Sequence, residues 1–232
     1  MLSVFILCGG KNSRIKKYNK NIIKPLIVYK KKTLLEHHVN KIKRINKIKI
    51  DLDKNIFINV GDNYLKYKKL IKKKKLNTQI IKEKKILGTA GIIISNIEKF
   101  KDRILIVYGD NYLNVDINRF IDFFFKKNCD LLMGVYLKKD LSESGRVYLN
   151  LKNKIKKIEE KKFKNQNITN YCNSGLYLIK KNLLKNLKKN SFVDFSNQVL
   201  PEIIKKNNSY AYKIGFCKAF DDEKNYRKNI NT

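Results

Sequence analysis

Residues 3–14 read SVFILCGGKNSR, and this stretch decides the fold class. Its first six residues form a nearly continuous apolar run, the pattern of a strand buried on both faces, and the run stops at a turn-rich loop over 9–13. Outward from it, Thr33 with Glu36 at the capping-box position opens a helix over 34–47. A strand over 56–60, a helix over 64–73 and a short strand over 78–81 come next. A helix over 92–100, entered through 88–91, leads to an apolar strand over 104–107 that halts at Gly109 and Asp110. A helix over 117–127 and a strand over 129–136 complete the alternation. Strands alternating with amphipathic helices call for a three-layer α/β fold, αβα and Rossmann-like, around a mixed, mainly parallel sheet. Later segments change character: 146–149 and 154–159 read as a hairpin around Asn153, and 174–179 as a further strand. They look like a small β insertion covering one end of the sheet. Helices over 183–188 and 195–206, a strand over 210–214 and a polar tail follow.

The 232 residues suffice for one sizeable core, and without a linker or repeat in view we expect one domain over 1–232. A hydrophobic share of 43% with few Gly and Pro fits a folded globule. Cys8, Cys129, Cys172 and Cys217 are scattered without a CxxC pair, so neither a disulfide framework nor a zinc site is indicated. Met1 leads into the first apolar run without a basic leader, and no apolar stretch approaches the roughly 18 residues of a membrane span. A soluble, cytoplasmic protein with no membrane insertion is expected. The formal charge of +33 raises the question of a nucleic-acid partner. Only six of the 53 basic residues are Arg, the residue favoured for base-edge reading, and the lysines spread from end to end among Asn and Ile. Runs such as 30–32 and 72–75 then read as solvated helix ends and loops, and no nucleic acid is expected. The field still attracts phosphorylated small molecules.

In open α/β sheets ligands bind beyond the carboxyl ends of the strands, which puts three loops in focus. In the first, small residues at Gly9 and Gly10 let backbone N–H groups approach phosphate oxygens, and Arg14 can neutralise them; Lys24-Pro25 follows ten residues on. The second, Leu87-Gly88-Thr89-Ala90-Gly91, is a small-residue helix entry able to lie against a flat base or ribose. The third, Tyr108-Gly109-Asp110, sets a carboxylate at a strand end where a phosphate-bound metal needs it. Singly, each has an ordinary reading: a plain turn, a solvated Lys24, an Asp110 that caps a helix or makes a turn. Their order and spacing together are hard to ascribe to accident. His37 and His38 are adjacent, face different directions on a helix and read as helix surface, and neither a G-x-S-x-G elbow nor P-loop spacing occurs.

In these loops the chain resembles the sugar nucleotidyltransferase family, whose pattern is L-x-G-G-x-G-x-R-L, then K-P, then L-G-T-A-G, then G-D after a strand. The resemblance runs on through Glu160-Lys161, similar to the family's E-K motif, and Asn173-Ser174-Gly175-Leu176-Tyr177, similar to its N-x-G-x-Y strand. The Cys-Gly-Gly start and short length are similar to mannose- and heptose-1-phosphate guanylyltransferases. Asn12 stands where the family has a third loop glycine, and Asn is the residue that best tolerates φ > 0 after Gly. The family's second metal aspartate lies in D-x-G-T-P-E-D-Y; residues 219–226 here read AFDDEKNY, lacking the Gly, with Asp221 the favoured ligand and Asp222 the alternative.

What the resemblance implies is a nucleotide-diphospho-sugar transferase fold, with a nucleotide-binding half over about 1–115 and a sugar-phosphate-binding half over about 116–232. Leu7, Gly9, Gly10, Asn12, Ser13, Gly88 and Thr89 would face the nucleotide, and Arg14, Lys24 and Asp110 would do the chemistry. Gly145, Glu160, Lys161 and Asn173 would hold the sugar phosphate, and Asp110 with Asp221 would hold Mg²⁺. The implied substrates are a nucleoside triphosphate and a sugar 1-phosphate, giving a nucleotide sugar and pyrophosphate. Guanylyl transfer from GTP to a mannose- or heptose-type sugar for surface polysaccharide precursors is the favoured form. Cytidylyl or thymidylyl transfer to another phosphorylated substrate, a non-catalytic nucleotide-sugar-binding relative and a basic nucleic-acid-binding protein are the alternatives, and self-association as a homo-oligomer is left open.

Overall fold

The structure, a computed structural model, describes residues 1–10, 15, 17–46, 52–138, 145–159, 171–220 and 222–230. The chain begins with β1 (Leu2–Leu7), a small hairpin of β2 (Val28–Tyr29) and β3 (Lys32–Thr33), α1 (Leu34–Ile42) and the short α2 (Leu52–Asn55). Then come β4 (Ile56–Val60), α3 (Tyr64–Lys74), β5 (Gln79–Lys82), α4 (Gly88–Ser95), β6 (Arg103–Tyr108), β7 (Asn111–Asn114) and α5 (Ile117–Lys126). The remainder is β8 (Leu131–Leu137), β9 (Arg146–Leu149), β10 (Ile155–Glu159), β11 (Tyr171–Lys180), α6 (Asn182–Lys185), α7 (Leu200–Lys206), β12 (Ser209–Lys213), β13 (Phe216–Ala219) and α8 (Glu223–Ile230).

In the central sheet, β5, β4, β1 and β6 lie side by side and pair in parallel. Antiparallel β11 follows β6, β8 follows β11, and β12 returns parallel to β8. The β9–β10 hairpin is hung on the first residues of β11, through the pairing of Cys172 with Arg146. The hairpin is the part of the expected insertion that stands apart; the segment 174–179, read with it from the sequence, belongs instead to β11 inside the central sheet, between β6 and β8. Alternate residues of β1 enter two separate cores, as a strand buried on both faces must. Leu2, Val4 and Ile6 meet α1, α3 and α5, while Phe5 and Leu7 meet α4, Phe195 and α7. Burying each such side chain is worth about 1.5–3 kcal/mol, and the two cores between them fix the three layers.

Several elements depart from the sequence expectation. The helix expected over 92–100 starts earlier, at Gly88, and ends at Ser95. Its first N–H groups find an external acceptor, the Val193 carbonyl, bonded by Ala90 at 2.9 Å and Gly91 at 3.1 Å, so glycines can open it. The helix expected over 195–206 begins with a π-helical turn at Phe195–Val199, capped by the Asp194 carboxylate. The residues expected as a polar tail form β13 and α8. Strand β13 pairs with β7, itself an Asn-rich segment without apolar period, and Phe220 fills a satellite core with Ile27, Tyr29 and Leu34. No local pattern announces this, because the strand is held by a partner a hundred residues earlier in the chain. No described helix is long and apolar enough to cross a membrane.

His38, expected on the helix surface, is buried at 4% exposure. Burial first, and the neighbouring Lys41 charge second, push its imidazole from the ordinary 6.5 down to about 3. Between those values the unfolded chain binds a proton that the folded chain does not. This contribution to stability is therefore whole above pH 6.5 and is lost progressively as pH falls toward 3. Urea unfolding at about pH 7.5 and about pH 5 is expected to show the loss, and His38→Phe is expected to flatten it.

Candidate active site

The register of the parallel strands sets the site. Leu7 pairs with Asn59 on one side and Tyr108 on the other, so β1, β4 and β6 end level with one another. Beyond Leu7, the chain turns through buried Cys8 and part-exposed Gly9 to exposed Gly10, where φ is +118°. Beyond Tyr108, the Gly109 N–H donates to the Leu7 carbonyl at 2.9 Å, which holds the Gly109-Asp110 corner against the start of the glycine turn. The Asp110 charge, after burial itself, contributes to pushing the Cys8 thiol up. The glycine turn and Asp110 therefore share one edge of the sheet.

Lys24 comes to the same edge from a 3₁₀ turn at Lys24–Leu26, with Pro25 fixing the turn's first residues. Its ammonium lies 3.2 Å from Oδ2 of Asp110, with side-chain exposures of 10% for Lys24 and 27% for Asp110. Lys24 is thus neither a solvated lysine nor a chance neighbour of proline, and the Asp110 carboxylate is turned to Lys24 rather than to a helix end. A largely buried, mutually neutralised pair beside a glycine turn is suited to a ligand that brings both negative charge and a cation.

The C-terminal segment closes on this corner. The Phe220 N–H donates to the Asp110 carbonyl at 3.3 Å, which ties the start of the C-terminal segment to the Asp110 corner. Asp221 itself lies outside the described residues. Asp222 is occupied: its carboxylate accepts from the Asn225 N–H at 2.8 Å and from Asn225 Nδ2 at 2.9 Å, at the start of α8. Among the described residues no three His, Cys, Asp or Glu side chains gather as a metal cage.

At the second loop, Gly88 has φ +75°, and an added Cβ would come within 2.5 Å of the Val193 carbonyl oxygen. Its glycine character serves close packing of the chain against itself. Thr89 Oγ1 accepts from the Phe195 N–H at 2.8 Å and reaches Asp194 Oδ2 at 3.4 Å. Next along the edge, the Tyr108 hydroxyl meets Ser196 Oγ at 3.3 Å, and burial pushes the phenol up to about 12. Asn173 and Gly145 lie together, the Asn173 N–H donating to the Gly145 carbonyl at 3.1 Å. The Asn173 side chain holds the Gly175 N–H at 3.0 Å and the Tyr177 hydroxyl at 2.9 Å, across an irregularity in β11. Asn111, next to Asp110, donates to the Ser174 carbonyl at 3.0 Å and joins this region to the Gly109-Asp110 corner. Arg14, Asn12, Ser13, Glu160 and Lys161 lie outside the described residues.

The sequence profile of the nucleotidyl transferase family matches residues 3–218, which spans the glycine turn, Lys24, Asp110, the second loop and Asn173. The chain belongs to the nucleotidyl transferase family. It is 27% identical over 200 residues to the D-glycero-alpha-D-manno-heptose 1-phosphate guanylyltransferase of Campylobacter jejuni, covering 84% of each chain. It is 25% identical over 218 residues to a putative mannose-1-phosphate guanyltransferase of Sulfolobus acidocaldarius, covering 92% of this chain and 58% of that one. Among solved structures, HddC of Yersinia pseudotuberculosis complexed with GMP-PN superposes with a TM-score of 0.80 at 21% identity, over 100% of this chain and 99% of that one. That likeness concerns the fold.

Within this nucleotidyl transferase chain, three polar residues of the site escaped the sequence reading: Asn59, Glu83 and Asp194. Asn59 had a signal, a polar residue interrupting the apolar run of β4 close to its carboxyl end, where a buried polar group must find partners. Asp194 had one as well, an N-cap residue just before the helix expected from 195, while Glu83 sits in a lysine-rich stretch and had none.

Proposed function

We propose that this chain is a sugar-1-phosphate nucleotidyltransferase, joining a nucleoside triphosphate to a sugar 1-phosphate with release of pyrophosphate. One observation carries the reading: the Lys24–Asp110 pair stands at 3.2 Å beside the glycine turn, at the shared carboxyl edge of β1 and β6. Family membership over residues 3–218 supports it. The names of the Campylobacter and Sulfolobus relatives support guanylyl transfer from GTP to a heptose- or mannose-type sugar. A fold neighbour described as a putative glucose-1-phosphate thymidylyltransferase, 19% identical, keeps thymidylyl transfer as the second reading.

In this proposal a phosphate oxygen of the sugar 1-phosphate attacks the α-phosphorus in line, the bond to the bridging oxygen breaks, and pyrophosphate leaves. The attacking phosphate is ionised at neutral pH and needs no general base. The backbone of Leu7, Gly9, Gly10, Asn12 and Ser13 cradles the triphosphate, and Arg14 neutralises it. Lys24 sits at the reacting phosphate. Gly88 and Thr89 shape the wall near the base, and Gly145, Asn173, Glu160 and Lys161 take the sugar phosphate. The chain acts as one domain in the cytoplasm. Asp110 and Asp221 fit Mg²⁺ as hard oxygen donors, with Asp222 committed to α8; when bound, the ion offsets charge on the phosphate oxygens. Positioning and charge compensation carry most of the rate enhancement.

Pyrophosphate release, measured with GTP, UTP, CTP and dTTP against a panel of sugar 1-phosphates, tests the reading. Turnover highest with GTP and a mannose or heptose 1-phosphate is expected. Highest turnover with dTTP would favour the second reading. Salt-sensitive binding of DNA or RNA with no nucleotide turnover would point to the +33 charge as the functional feature instead.

A further inference from the structure

Asn59 is buried at 3% exposure near the end of β4, and each polar atom of its side chain is used. Its Oδ1 accepts from the Cys8 N–H at 2.8 Å and the Gly9 N–H at 3.2 Å, the first two amides of the glycine turn. Its Nδ2 donates to Glu83 Oε2 at 3.1 Å. The other oxygen of Glu83 accepts from the Leu87 N–H at 2.9 Å, at the mouth of the second loop. One amide–carboxylate pair thus ties two loops that are separated by some eighty residues of chain and have no strand pairing of their own. The fit is close: a Cβ on Gly9 would stand 2.3 Å from Asn59 Nδ2 and 2.6 Å from Glu83 Oε2. From the opposite side, the buried Tyr67 hydroxyl donates to the Cys8 carbonyl at 3.1 Å.

We propose that Asn59 is a positioning residue, fixing the glycine turn and, through Glu83, its distance from the second loop, so that both meet the same triphosphate. The inference rests on the nucleotidyl-transfer reading for what the turn holds. The polarity of the pair makes it testable. Asn59→Asp keeps an acceptor for the Cys8 and Gly9 amides but sets a carboxylate against Glu83, and the two repel. Adding Glu83→Gln restores a donor facing an acceptor with the chemical groups exchanged.

The probe is the tightest binder to the unaltered chain among GTP, UTP, CTP and dTTP, with Mg²⁺, followed by calorimetry alongside thermal melting. Asn59→Asp is expected to weaken nucleotide binding about tenfold, the scale of one lost hydrogen bond to a charged group, with the sugar-phosphate KM unchanged. The double variant is expected to return to within about threefold of the unaltered chain. Tyr67→Phe, which removes one hydroxyl from the core, is expected to weaken nucleotide binding in the same direction while leaving the sugar-phosphate KM alone. Unchanged affinity in Asn59→Asp and Tyr67→Phe, or a double variant no better than Asn59→Asp, would overturn the role. So would a loss tracking the melting temperature alone. If the unaltered chain binds a triphosphate but releases no pyrophosphate, the catalytic reading fails while the affinity comparison still decides Asn59. If it binds none of the four, both fail.

Discussion

Asp110→Asn is expected to slow pyrophosphate release about a thousandfold, on the order of 4 kcal/mol of barrier, in a protein that still folds. The expectation of an intact fold comes from the backbone. The corner is held by the Gly109 N–H on the Leu7 carbonyl at 2.9 Å and by the Phe220 N–H on the Asp110 carbonyl at 3.3 Å, and neither involves the carboxylate. Asparagine has the same size and retains one oxygen acceptor. What it lacks is charge, which holds Lys24 at 3.2 Å in the resting protein and, in the proposed reaction, would also meet a cation when phosphates arrive. The loss should therefore appear in kcat more than in nucleotide affinity, since the glycine turn and its amides are untouched. Steady-state rates and calorimetric binding on the same preparation separate the two. Turnover within about tenfold of the unaltered protein would remove Asp110 from the reacting centre.

The parts legible in the sequence share a physical character: they are local. The run at 3–8 announces a strand buried on both faces because no residue in it faces water, and β1 takes that place with Leu2–Leu7. Thr33 and Glu36 announce the start of α1, and both halves of their capping box form. The Gly-Gly turn and the Gly-Asp corner were legible because small residues and a lone carboxylate after apolar strands have few other reasons to recur in that order. What was not legible depends on distant partners. Strand β13 has only half-buried and exposed residues, and it exists because β7 accepts it. The early start of α4 depends on the Val193 carbonyl, about a hundred residues on. Burial of Lys24 is a third case: nothing in Lys24-Pro25 tells a buried ammonium from a solvated one, and only the Asp110 carboxylate, 86 positions away, makes burial tolerable. The choice between Asp221 and Asp222 was open in the sequence; the Asp222 carboxylate is bonded to Asn225 at the start of α8, and Asp221 lies outside the described residues.

Lys24→Met is expected to slow turnover about a hundredfold and to raise the nucleotide KM, and its combination with Asp110→Asn tells why. Two roles are compatible with the resting geometry. If Lys24 serves only to neutralise Asp110, removing both partners costs no more than removing Asp110 alone, because no charge is left stranded in a site where Lys24 is 10% exposed. If Lys24 also meets the reacting phosphate, the double variant loses a further factor of about ten beyond Asp110→Asn. The second outcome is the expected one. A triphosphate carries far more negative charge than one carboxylate, so in the proposed reaction its arrival beside the glycine turn would draw the ammonium from Asp110 and free that carboxylate in the same event. The pair seen at 3.2 Å is then a resting arrangement in which each group keeps the other in place, desolvated and ready, until the substrate supplies better partners for both. Equal rates for the double variant and for Asp110→Asn would leave Lys24 as a counter-ion and nothing more.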